Sequence, residues 1–230
     1  MLREGDLVLD VGGWADPFER ADWVLDLMPY ETRGLYAHPS ADPGAGPERF
    51  STETWVCRDI CDREPWPFAD DQFEFAICSH TLEDVRDPVW VCSELVRVAR
   101  AGYIEVPSRE EEQSRGVHGP WVGWSHHRWI CDVGDGEIGF VAKPHLIHYM
   151  EGKSFPEGFA DSLGDIERVS YLFWEGSFEF GERIFTEPAE LESYLEAPVR
   201  SRGSWSTGRR QPGRHGGWRR WLSPSWRSSR

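Results

Sequence analysis

The chain has 230 residues, with 40 Asp+Glu against 25 Lys+Arg and a formal net charge of −15 at pH 7. That length suits one α/β domain with appendages, and no apolar run reaches the span needed to cross a bilayer. So acidic a body repels phosphate backbones, which disfavours a nucleic-acid substrate.

The N-terminus runs straight into a strand pattern, Leu7–Val11 (LVLDV), an apolar run bounded by Gly12-Gly13 and suited to a buried parallel strand. Trp23–Leu27 (WVLDL) repeats the pattern and stops before Pro29. Between Thr32 and Thr54 the chain is rich in Pro, Gly and Ala and reads as a loop with one irregular helical turn. Thr54–Arg58 is a third strand, and Phe73–Ser79, after the turn-forming Asp70-Asp71, is a fourth. Pro88 then opens a helix in which Val89, Cys92, Leu95, Val96 and Ala99 recur at helical spacing. Gly102 ends it, and Tyr103–Val106 is a fifth strand stopped by Pro107.

Beyond Pro107 the pattern changes. Ser108–Arg115 is polar and charged, while Trp129–Lys143 predicts a hairpin about Asp135-Gly136. Ile166–Phe185 gives two strand-like runs about Glu175-Gly176, expected to pair antiparallel at the sheet edge, and Glu187–Leu195 reads as a short acid-rich helix. The fold class expected is α/β, a Rossmann-like mostly parallel sheet with an antiparallel C-terminal hairpin and an inserted β-hairpin. The division expected is a domain over residues 1–198, with an insertion at about 108–165, and a tail over 199–230. All 40 acidic residues lie at or before Glu196, whereas Val199–Arg230 carries nine arginines among Trp, Ser and Gly. Such a tail is predicted to be disordered, either solvated or in contact with the acidic body.

Asp10, Gly12 and Gly13 at the first turn, with Asp26 ending the second strand, fit a nucleotide-type cofactor site. Glycine lets a ligand approach the backbone, and the second acid accepts hydrogen bonds from ribose hydroxyls. A purely structural strand–turn fits these four residues equally well. More specific are Arg58-Asp59-Ile60, Trp66–Phe73 (WPFADDQF), Ser79-His80-Thr81-Leu82-Glu83-Asp84-Val85 and Asp87-Pro88. In this order and spacing they resemble the methyltransferase-domain group of class I S-adenosylmethionine-dependent enzymes, over roughly Leu7 to Pro107.

The resemblance implies S-adenosylmethionine as cofactor. Asp10, Gly12 and Gly13 would border its amino-acid moiety, Asp26 its ribose, and Asp59 and Ile60 its adenine. Ser79 and His80 would line the methyl-transfer site. Three departures from the family stand out: Trp14 and Pro17 truncate or remove the helix after the first strand, the chain begins almost at that strand, and Asp84 replaces a common His.

His80, His126 and His127 are the candidate catalytic bases, although paired histidines between Trp124 and Trp129 equally read as packing. No metal site is expected, because His118, His126, His127, Cys131, His145 and His148 show no zinc-finger or zinc-ribbon spacing. The function expected is methylation of a hydroxyl or amine on a small molecule or glycan; the alternative is a non-catalytic binding or regulatory protein on the same fold. Homodimerisation stays open. Five cysteines (Cys57, Cys61, Cys78, Cys92, Cys131) without framework spacing, and a start lacking a secretory pattern, lead to a cytoplasmic expectation.

Overall fold

A computed structural model describes residues 2–35 and 47–202. Six strands form the main sheet: β1 (Val8–Val11), β2 (Trp23–Asp26), β3 (Trp55–Cys57), β4 (Phe75–Ser79), β5 (Ala101–Pro107) and β8 (Val169–Glu175), in the order β3-β2-β1-β4-β5-β8. The first five are parallel, and β8 closes the edge antiparallel to β5 with Gly102 opposite Trp174. Strand β1 is buried at every residue because both sheet faces are covered, which is why it reads as a continuous apolar run.

Side-chain alternation assigns the two faces. Leu9, Val11, Leu25, Ala76, Cys78 and Ile104 point to one core, and Val8, Val24, Phe75, Ile77 and Tyr103 to the other. The first core is covered by α1 (Pro88–Val98), which buries Val91, Cys92, Leu95 and Val98. Asp87 caps this helix by accepting from the Trp90 amide at 3.1 Å, and Pro88 occupies a position that needs no donor. The second core is roofed by irregular chain carrying Phe18, Ala21 and Phe50. No helix lies between β1 and β2, as Trp14 and Pro17 lead one to expect.

A second, three-stranded sheet joins β6 (Trp129–Val133), β7 (Glu137–Ala142) and β9 (Glu179–Glu182) in that order. Strands β6 and β7 are the expected hairpin, antiparallel about a turn in which Gly136 has φ +79°. The expected pairing across Glu175-Gly176 is corrected: only an isolated Glu175–Ser177 bridge forms there, and β9 leaves to run parallel to β7. Phe178 is the cause, since it buries against Trp174 with ring centroids 5.3 Å apart and carries the chain away from the edge.

The polar segment after Pro107 also differs from expectation. It forms a one-turn helix, α2 (Arg109–Glu112), capped by Ser108 and burying Glu111 and Glu112. Helix α3 (Pro188–Ser201) runs past the expected end at Leu195. Part of the 32–54 loop and the tail from residue 203 lie outside the described residues. None of the described helices is long and apolar enough to cross a membrane.

Candidate functional site

The strand order reverses between β1 and β4, and open α/β sheets hold ligands outside the strand carboxyl ends at such a reversal. Four of the expected cofactor residues meet on the β1–β2 side. Asp10 is 3 % exposed, and its Oδ2 accepts from the Phe18 amide at 2.8 Å. Asp26 ends β2, where its Oδ2 accepts from the Trp14 amide at 3.0 Å and its Oδ1 from the Met28 amide at 2.8 Å. Burial raises the Asp26 pKa, and the backbone donors at Met28, Trp14 and Leu27 oppose that rise.

The two glycines are demanded by close packing inside the turn. Gly12 has φ +77°, and a Cβ there would lie 2.2 Å from Thr81 Oγ1. A Cβ on Gly13 would lie 2.2 Å from Asp10 Oδ2. The Gly12 amide donates to the Leu25 carbonyl, and Trp14 Nε1 donates to the Thr32 carbonyl at 2.7 Å, so the turn is fastened across β2.

After β3, Asp59 Oδ1 accepts from the Cys61 amide and its Oδ2 pairs with Arg86 at 2.6 Å. Desolvation works against its ionisation, but the Arg86 bond and the Cys61 amide outweigh it and hold the carboxyl below its usual range. Ile60 is buried beneath Trp66, whose Nε1 donates to the Ile60 carbonyl.

At the end of β4, Ser79 Oγ donates to Glu105 Oε1 at 3.3 Å. His80 follows with φ +49°, and its ring nitrogens lie 3.3 Å from Glu83 Oε1 and 3.3 Å from Glu105 Oε1. Desolvation pulls its pKa down, but the two carboxylates overcome that and push it up to about 10. The two carboxylates beside the ring thus favour its protonated form. Tyr103 donates to the second oxygen of Glu105, while Glu83 Oε2 is buried without a hydrogen-bond partner among the described residues.

The other two histidines arrive on the insertion. His127 is nearly buried, with Nδ1 2.7 Å from Glu112 Oε2, whereas His126 is half exposed with Nε2 3.8 Å from Asp84 Oδ2. Glu112 also pairs with Lys143, whose Nζ donates to the Trp124 carbonyl. Sequence reasoning missed Glu83, Glu105, Glu112 and Lys143. Glu105 carried a signal, as the lone acid inside the apolar run YIEV, and so did Lys143, one of only two lysines in the chain.

Residues 41–104 match the family described as "Methyltransferase domain". The match begins after β2 and so does not include Asp10 or Asp26. No curated protein sequence matches the chain. Among solved structures, the chain is similar to an S-adenosylmethionine-dependent methyltransferase from Mesorhizobium loti (16% identity, 66% of this chain and 68% of that one, TM-score 0.36). It is also similar to one from Aquifex aeolicus (22% identity, 52% and 65%, TM-score 0.35), and to the YcgJ protein from Bacillus subtilis (18% identity, 46% and 46%, TM-score 0.32). The chain thus spans under half the length of the YcgJ structure. The family match over residues 41–104 and the sheet order agree with a Rossmann-like, mostly parallel α/β fold.

The acids at this edge have the chemistry of a ribose-holding carboxylate. Asp26 accepts from the Trp14 and Met28 amides at the carboxyl end of β2, where a carboxylate can also accept from a ribose hydroxyl. Asp10 stands on the neighbouring parallel strand at the same edge.

Proposed function

We propose that this chain transfers a methyl group from S-adenosylmethionine to a hydroxyl or amine of a small molecule or glycan, outside the carboxyl ends of β1 and β4. The observation that carries the reading is the pair of buried acids, Asp10 and Asp26, at the carboxyl ends of adjacent parallel strands beside a glycine turn. Asp26 would hold the ribose, Asp10 with the Gly12 and Gly13 backbone the amino-acid moiety, Asp59 and Ile60 the adenine, and Ser79 the reacting end.

The cofactor supplies a methyl group already activated on a sulfonium, so the protein's main task is alignment. His80, its protonated form favoured between Glu83 and Glu105, orders this edge rather than taking a proton at neutral pH. His126 and His127 wall the acceptor side from the insertion. An acidic surface suits a neutral or cationic acceptor better than a polyanion. Five free thiols among the described residues fit a reducing cytoplasm.

A second reading, a protein of this fold that binds without catalysing, draws on the fastened first turn. Thr81 fills the space beside Gly12, and the Trp14 amide already engages Asp26. Incubation with methyl-labelled S-adenosylmethionine and pooled small hydroxyl and amine acceptors separates the two. Label in a low-mass product, lost in Asp26→Ala, supports the enzyme; a folded chain that neither binds the cofactor nor labels any pool supports the second reading.

A further inference from the structure

We propose that Asp84, His126 and His127 form a binding site for a divalent transition-metal ion of the zinc type. One ligand atom from each residue lies within 4.8 Å of the other two, although the residues come from two segments far apart in the chain. His126 Nε2 and Asp84 Oδ2 stand 3.8 Å apart. An ordinary charge-assisted hydrogen bond would close to about 2.8 Å. Tetrahedral ligands about 2.1 Å from a zinc ion sit about 3.4 Å from one another. The observed His126–Asp84 spacing is nearer the second geometry.

The surroundings orient these atoms. Glu112 takes Nδ1 of His127 at 2.7 Å, which leaves Nε2 as the coordinating nitrogen. A buried carboxylate behind a histidine is the outer support that metal-binding imidazoles use. The two ligand-bearing segments are also joined on either side of Asp84. The Glu83 carbonyl accepts from the amides of Arg128 and Trp129 at 2.8 and 3.1 Å, and the Val85 carbonyl accepts from Trp129 Nε1 at 2.8 Å. Asp84 is thereby pinned next to the residues that immediately follow His127.

Two imidazoles with one carboxylate select zinc-like ions over calcium or magnesium, which prefer all-oxygen sets. The half-exposed Asp84 and His126 leave the fourth position open to solvent. Zinc-finger spacing rules do not find such a site, because its carboxylate is supplied from the loop after β4.

The inference stands apart from the methyl-transfer reading, and its test uses no cofactor. The tag-free full chain, stripped with chelator, is titrated with Zn2+ by calorimetry and with Co2+ by visible absorption. One ion per chain is expected, with a Co2+ spectrum lacking thiolate charge transfer. Asp84→Asn and His126→Ala should each weaken binding by at least about tenfold, the lower end of what loss of an outer support costs. His118→Ala removes a ring stacked on Trp124 and not among the three ligands, so it should bind as the parent does. Should Asp84→Asn fail to fold, His126→Ala at its half-exposed position carries the test alone. Absence of saturable binding, or binding that survives His126→Ala unchanged, overturns the proposal.

Discussion

Glu112 Oε2 lies 2.7 Å from Nδ1 of His127, and the two side chains are only 2 % and 6 % exposed. A carboxylate can only accept, so the contact fixes Nδ1 of His127 as the protonated nitrogen. The other Glu112 oxygen pairs with the equally buried Lys143, which makes this glutamate the anchor between α2 and the ends of the β6–β7 hairpin.

Removing one partner of that buried pair leaves the other charge unpaired. Glu112→Ala is expected to lower the unfolding free energy by about 3–5 kcal/mol. Urea denaturation checks this, and Glu112→Leu combined with Lys143→Met should recover a large part of the loss. A single variant within about 0.5 kcal/mol of the parent, the range of ordinary surface substitutions, would show that the pair carries no such weight.

His80 gives the stability a defined pH dependence. Its pKa rises from about 6.5 in the unfolded chain to about 10 in the folded one. The stabilisation from its two ion pairs is therefore complete below about pH 6.5 and disappears as pH rises toward 10. The stability gap between the parent and His80→Gln should be widest near pH 6 and shrink steadily through pH 9. Denaturant titrations across that range check it, and a gap that widens with pH would contradict the ion-pair assignment.

Two left-handed glycines separate backbone strain from packing. Gly136 has φ +79° and a Cβ there would meet nothing within 4 Å among the described residues, whereas at Gly12, with φ +77°, it would meet Thr81 Oγ1 at 2.2 Å. Gly136→Ala should cost only the conformational strain, about 1 kcal/mol. Gly12→Ala should cost clearly more and lower the melting temperature further. Equal effects would mean that Thr81 yields freely and the turn is looser than its contacts indicate.

Much of the sheet was legible in the sequence because β1, β2, β4 and β5 are covered on both faces and so are mostly apolar. Helix α1 was legible from Pro88 and its spaced apolar residues. Helix α2 was not, because its acids are buried through distant partners: Glu111 against Arg168 at 2.7 Å and Glu112 against Lys143. The departure of β9 was equally hidden, since the alternation that marks a strand does not name its neighbour. Within the site, Asp10 and Asp26 announce themselves at strand ends, but the carboxylates that favour the protonated form of His80 do not. Glu105 approaches that ring only after β4 and β5 pair, and Glu83 only through the turn that follows β4.

The central claim is that the edge formed by Asp10, Gly12, Gly13 and Asp26 binds the methyl donor. Isothermal calorimetry with S-adenosylhomocysteine on the purified, folded chain tests it most directly, with Asp26→Ala alongside. The account predicts saturable binding by the parent and a loss of about tenfold or more in the variant, the worth of a hydrogen bond to a charged group. A folded parent that takes up no S-adenosylhomocysteine at millimolar concentration, or an Asp26→Ala variant of unchanged affinity, would contradict it.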